Sequence, residues 1–240
     1  AAVVIKNSVH FIKSLLTWGF VKEYENYLYF IYPTVGLILT AYFVKYVIKR
    51  PIGHGVPNVL YAISKNKSII KAQSMFASIV ASSLTVGFGG SVGLEGPTVS
   101  TTSAIGSNIG QFFRLNYKTT TLLLGCGAAG AMSGIFNAPI AALVFVLEVF
   151  MFDLTLTSMI PFLMASVAAA LSSRMMLGNN VLFDIKIQDV FTVGDVPFFV
   201  LLGIFIGLIS AFFNKIFIVI EDFFECIKKK KKRLIFVVIN

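Results

Sequence analysis

Charge is what this sequence has least of. Asp, Glu, Lys and Arg together make up 13% of the residues against 57% hydrophobic ones, and the mean hydropathy is +0.85. That balance excludes a soluble domain with an ordinary core and puts the chain in a lipid bilayer. Acid is scarcer than base, 11 residues against 20, leaving a net charge of +9. An excess of base can mark a nucleic-acid partner, but here Lys and Arg sit in short loops between apolar runs. They orient membrane spans and imply no nucleic acid. The two cysteines, Cys126 and Cys226, lie in or beside helical stretches and build no disulfide framework. Two histidines and two cysteines at no ligand spacing give no metal site, and nothing requires a cofactor. The first twenty residues lack a charged n-region and a small-residue cleavage site, so they are not a signal peptide. Period-two alternation is missing from the apolar runs 31–44, 122–151 and 197–213, which excludes an outer-membrane barrel and leaves helices to do the spanning.

What is present is the stretch GFGGSVGLEGPT, Gly87 to Thr98. It puts a carboxylate, Glu95, in apolar surroundings where charge is costly, which is by default a functional feature. Gly96-Pro97 reads as a helix entry with Pro97 at the first helical position. A helix starting there aims its free amides and the positive end of its macrodipole back at Glu95, which makes an anion site. Gly87, Gly89, Gly90, Gly93 and Gly96 keep side chains away where the backbone turns or an ion approaches. A phosphate-cradling loop is excluded, because neither GxxxxGK[ST] nor GxGxxG is present.

In chain order, the first residues read as the end of a helix with Val4, Phe11, Leu15 and Trp18 on its apolar side and Lys6, His10 and Lys13 on the other. Residues 27–48 form a span after a polar tract at 22–26. Next comes GHGVP, a second Gly/Pro loop leading into a short helix. From Lys45 to Lys71 there are six basic residues and no acid, which places this segment on the cytoplasmic side. Residues 69–88 read as a span rich in small residues that ends at the Glu95 loop, across the bilayer. Residues 97–113 return as a helix buried among others. A short helix at 122–131, the interruption GIFNAP at 134–139 and a helix at 140–150 make a third broken element, the kind that points to a transporter's binding site. A span at 154–176, an exposed loop at 178–195 and the longest span at 198–220, with Gly203 and Gly207 at a spacing that fits either close packing against a neighbour or simple helix tolerance, complete the pattern. Lys228 to Lys232 and Arg233 form a basic loop suited to lipid headgroups, and the apolar segment 234–239 then reads as cut short.

GHGVP, GLEGPT and GIFNAP followed by LVFVLE closely resemble the signatures of the CLC family of chloride channels and chloride/proton antiporters. The resemblance covers essentially the whole chain. It implies an all-α, polytopic membrane protein, one half of an inverted-repeat fold with broken helices. Residues 1–196 correspond to a first repeat lacking its beginning, and 197–240 to the first long helix and basic loop of the second. By the same resemblance Glu95 is the gating glutamate, and Gly53, His54, Gly55, Val56 and Pro57 with Gly93, Leu94, Gly96 and Pro97 form the anion site. The implied setting is a homodimer in the cell membrane that passes chloride or a similar anion under voltage or pH gating, and possible partners include protons and the lipid bilayer. His54 stands where the family usually has serine, and it either donates to the anion or turns aside. Asn58 replaces a frequent glutamate. Val149 stands at the second of two consecutive glutamates, the one that relays protons in the antiporters, and is valine as in the family's channels, while Glu148 matches the first and reads as a buried structural acid. The alternatives are an antiporter with another proton path, a non-conducting fragment, and an intramembrane hydrolase using Ser91 and His54. Against the hydrolase, the charge pattern sets those two loops at opposite ends of one span, beyond hydrogen-bond reach.

Overall fold

Every regular element among the described residues is helical. The computed structural model describes residues 1–17, 28–49, 55–177 and 192–239. Trp18, the polar tract 22–26, Gly53, His54 and most of the loop expected at 178–195 lie outside them. The chain divides into two compact units, Ala1–Asp184 and Ile185–Asn240.

The first unit holds α1 (Ala2–Thr17), α2 (Leu28–Tyr42) extended by a π-helical turn (Phe43–Ile48), α3 (Gly55–Lys65), α4 (Ser74–Gly87), α5 (Glu95–Phe112), α6 (Tyr117–Phe136), α7 (Pro139–Val149) and α8 (Leu156–Leu177). Its core runs through α5, α6, α7 and α8, around Val99, Leu124, Ala128, Val146 and the fully buried Phe162. Small residues let α5 and α6 meet backbone to backbone. A Cβ on Gly106 would strike the Leu123 carbonyl, and one on Gly127 the Thr102 carbonyl. This is how helices associate where lipid removes the hydrophobic drive between them. Nine residues of α5 are buried, five of them Ser or Thr, as expected of a helix enclosed by others.

Several expectations are corrected. On α1 the buried residue is Ile5, while Val4, Phe11 and Leu15 are exposed. The face with Ile5 and Ile12 wins because Gly87 of α4 lies open to Ile12, whose Cγ2 stands 2.7 Å from where a Cβ would be. The span expected at 69–88 is only the 14-residue α4, about 21 Å long at helical rise, too short for a hydrocarbon core of about 30 Å. Residues 66–73 are instead turns. The short helix expected at 122–131 is the 20-residue α6. It starts earlier because the Asn116 side chain caps it, accepting from the Thr119 amide at 2.8 Å, and ends later, at Asn137 in the left-handed conformation. Pro139 then opens α7.

The second unit has a single turn at Val193–Asp195, where the Asp195 carboxylate accepts from the Thr192 amide and hydroxyl, followed by α9, Val196–Ile239. The basic run at 228–233 lies within this helix, not in a loop. Good helix formers and the absence of Gly or Pro after Gly207 leave nothing to stop it. Among the described residues, four helical segments are long and apolar enough to cross a membrane: Ile31–Ile48, Tyr117–Phe136, Leu156–Met176 and Val193–Phe224. The protein is an all-α, multi-pass integral membrane protein.

Candidate functional site

Two helix starts meet in the first unit. Gly55, the first residue of α3, lies against Gly96, the second of α5, so closely that a Cβ on Gly55 would stand 2.5 Å from both the carbonyl carbon and oxygen of Gly96. Only glycine permits such a backbone approach. The first helical bond of α5 runs from the Thr98 amide to the Leu94 carbonyl at 3.1 Å, so the amides of Glu95 and Gly96 precede the hydrogen-bonded ladder. α5 begins at Glu95, which makes Pro97 its third residue, not its first. The missing N–H of Pro97 is still harmless there, since the first turn has no carbonyls to bond. With α3 and α5 starting side by side, two positive dipole ends converge on one spot.

Glu95 occupies that spot. Its side chain turns back so that Oε2 lies over Gly93, where any Cβ would collide with it. Glu95 is partly buried, and among the described residues no hydrogen bond or ion pair to its carboxylate is present. This carboxylate stands at two adjoining helix starts, where a free anion would meet the same dipoles. Val56, Leu94 and Pro97 are partly buried beside it, and Pro57 and Gly93 are exposed. Gly53 and His54 precede α3 and lie outside the described residues.

The meeting of Gly55 and Gly96 overturns one expectation outright. The GHGVP and GLEGPT loops are not at opposite ends of a span. α3, with 11 residues, and α4, with 14, are each too short to carry the chain across, so the path goes down and returns to the same depth. Separation is therefore no argument against pairing Ser91 with His54.

A family model described as voltage gated chloride channel matches residues 36–240. The chain belongs to this family, the CLC proteins. It is 30% identical over 175 residues to a protein named H(+)/Cl(-) exchange transporter ClcA from Vibrio cholerae serotype O1, covering 72% of this chain and 37% of that one. It is 28% identical to the putative chloride channel protein ClcB-like of Ralstonia nicotianae, over 73% of this chain and 42% of the other. Among solved structures, a CLC-type fluoride/proton antiporter matches with TM-score 0.66 and 26% identity, covering 85% of this chain and 50% of that one. A slow cyanobacterial Cl-/H+ antiporter matches in fold with TM-score 0.70 and 20% identity over 86% and 49%. The chain thus spans about half or less of the relatives it matches.

In this CLC chain the third loop leads into α7, which rests on α6 and α8. Arg174 of α8 donates from Nε to the Asn137 side chain at 3.1 Å across that turn. On α7 the inward face is Ala142, Leu143, Val146 and Phe150. Val149 is half-buried against the core, and Glu148 is exposed. The reading of Glu148 as a buried structural acid is therefore corrected: it lies on the outer side of a helix whose inner side is set by the 3.6-residue period.

A polar clamp that sequence reasoning missed holds the α3–α4 connection onto α5. The Ile70 amide donates to the Ser107 hydroxyl at 2.9 Å, and that hydroxyl donates to the Ser68 carbonyl at 2.6 Å. Asn108 and Gln111 both donate to the Ile70 carbonyl, and the Ser68 hydroxyl pairs with Thr121 at 2.6 Å. The available signal is the Ser, Asn and Gln at 107, 108 and 111, which share a helix end, where small and polar residues point equally to close packing.

Proposed function

We propose that the full-length protein carries chloride or a similar small anion across a membrane, and that Glu95 is its gate. The observation that carries this is the meeting of Gly55 and Gly96 with an uncompensated carboxylate folded over Gly93. When Glu95 is ionised it holds the anion position. Protonation or displacement by an anion releases the donors and opens the path. Gly55, Val56, Pro57, Leu94, Gly96 and Pro97 then form the wall of the site. Gly53 and His54 are assigned to it by position in the sequence, with His54 the side chain that sets preference among anions. The work is transport, without a catalytic step. Residues 1–196 belong to a first repeat and 197–240 to the start of a second, in a homodimer in the cell membrane.

Channel-like passage is favoured by the valine at 149, while the printed names of relatives, exchange transporter and antiporter, favour proton-coupled exchange. The two readings differ in whether an anion gradient drives protons uphill. The gate itself is tested with Glu95→Gln in proteoliposomes containing the full-length protein. Anion flux should persist and lose its pH dependence. Flux that keeps the wild-type pH profile would remove Glu95 from this role.

A further inference from the structure

A second polar site lies on the basic side of the first unit, lined by residues that follow the Glu95 site along α3 and α5. It is a cavity of about 200 Å³ between the π-helical turn, α3, α4 and α5, and its polar lining includes Asn58, Lys71, Gln73, Ser78 and Ser100. Ser78 and Ser100 are only 5% and 3% exposed. Neither hydroxyl has a hydrogen-bond partner among the described residues, and neither is among the unpartnered side-chain atoms fully sealed from solvent, which are those of Ser83, Thr101, Ser103 and Ser166. Their open surface is therefore onto the cavity. A buried hydroxyl without a partner is costly, and two lining one hollow call for an occupant that accepts hydrogen bonds.

The Asn58 amide adds further unpartnered donors, and Lys71 and Gln73 stand exposed at the rim. The sequence that supplies this lining is basic. No Asp or Glu occurs between Glu25 and Glu95, while Lys45, Lys49, Lys65, Lys67 and Lys71 do. The cavity lies at the start of α4, but the amides of Ser74, Met75 and Phe76 already bond back to the carbonyls of Lys71, Ala72 and Gln73. Recognition thus falls to side chains, with the dipole adding only its field. Two buried hydroxyls, a part-buried amide and an exposed lysine among the lining residues suit an anion with several oxygens spread over a tetrahedron, in a hollow larger than a single halide ion needs.

We infer that this cavity binds a phosphate monoester or inorganic phosphate group, held by Lys71, Asn58, Ser78 and Ser100. The group comes either from an anionic lipid headgroup at the basic membrane face or from solution, and the chemistry of recognition is the same. The test uses the purified full-length protein at constant ionic strength. Its unfolding midpoint is followed against inorganic phosphate, and separately against phosphatidic acid added to phosphatidylcholine nanodiscs. Saturable stabilisation by phosphate identifies the soluble source, and saturation only with phosphatidic acid identifies the headgroup. In either case Lys71→Ala and Ser100→Ala should each weaken binding about tenfold or more, the loss of one charge-assisted hydrogen bond. Ser100→Ala removes a hydroxyl that bonds to nothing among the described residues, so folding is retained, and Ser78→Ala serves as a second such variant. If Lys71→Ala weakens binding while both serine variants match wild type, only surface charge is being read and the site is refuted. Absence of saturation with either probe refutes it equally.

Discussion

Gly55→Ala and Gly96→Ala touch the same contact from its two sides and should behave oppositely. The methyl group that Gly55→Ala introduces would lie 2.5 Å from the Gly96 carbonyl carbon and oxygen and 2.6 Å from its Cα. Ordinary contact begins near 3.4 Å, so α3 and α5 must part by about 0.9 Å, and the atoms in the way are backbone, which cannot swing aside. Overpacking of this kind costs about 1–3 kcal/mol, and the rigid obstacle puts Gly55→Ala in the upper part of that range. Among the described residues, a methyl on Gly96 meets only the Gly55 Cα, at 3.8 Å. That substitution is accommodated, and replacing a helical glycine by alanine gains up to about 1 kcal/mol. Denaturant titration of the full-length protein in mixed micelles, paired with anion flux from proteoliposomes, reads both effects. Gly55→Ala should lose stability and flux together, and Gly96→Ala should keep stability. Equal stability loss in the two variants would show that the helix starts do not meet as described.

Gly125→Ala places its Cβ 2.7 Å from Phe162 Cε1 and should cost about 1–3 kcal/mol; combining it with Phe162→Leu should recover part of that, and strict additivity in the double-mutant cycle would argue against the contact. Ser107→Ala strips the Ile70 amide of its acceptor and should destabilise the fold by about 1–3 kcal/mol, read in the same titration, with an unchanged midpoint showing that the clamp is dispensable. His54→Ser should change the permeability ratios among chloride, nitrate and fluoride, and unchanged ratios would place its side chain away from the anion.

The helices and the candidate gate are legible in the sequence for physical reasons that also explain what is not. Glu95 declares itself because charge in apolar sequence has few explanations, and Gly96-Pro97 marks the helix entry because both residues are restricted in what they can do. The depth at which those loops lie is not legible, since hydropathy sees the apolar residues 69–88 as one span and cannot see that residues 66–73 turn. Those turns include Lys67 and Ser68 at positive φ, conformations that neither residue type announces. The closeness of α3 and α5 depends on Gly55 and Gly96 meeting across about 40 intervening residues, and a glycine in sequence does not say which backbone it admits. The hydrogen bonds of the clamp are equally silent, because Ser107 in a helix reads the same whether it packs or bonds.

The valine at 149 leads to the sharpest separation between the two transport readings. A proton bound for Glu95 from the cytoplasmic side needs titratable groups or water along its way, and α7 offers one carboxylate, Glu148. The 3.6-residue period that turns Ala142, Leu143, Val146 and Phe150 inward puts Val149 half-inside and Glu148 outside. An apolar side chain packed against the core neither carries a proton nor holds water for one. Under the channel reading proposed above, no proton coupling through this helix is expected. The expected result, for the full-length protein in proteoliposomes with a chloride gradient as the sole driving force, is chloride movement without uphill proton movement. Uphill proton transport would overturn the channel reading. Its disappearance in Glu148→Gln would then show that this carboxylate reaches the path by a rearrangement of α7, and its persistence would assign the route to water entering at Glu95 directly.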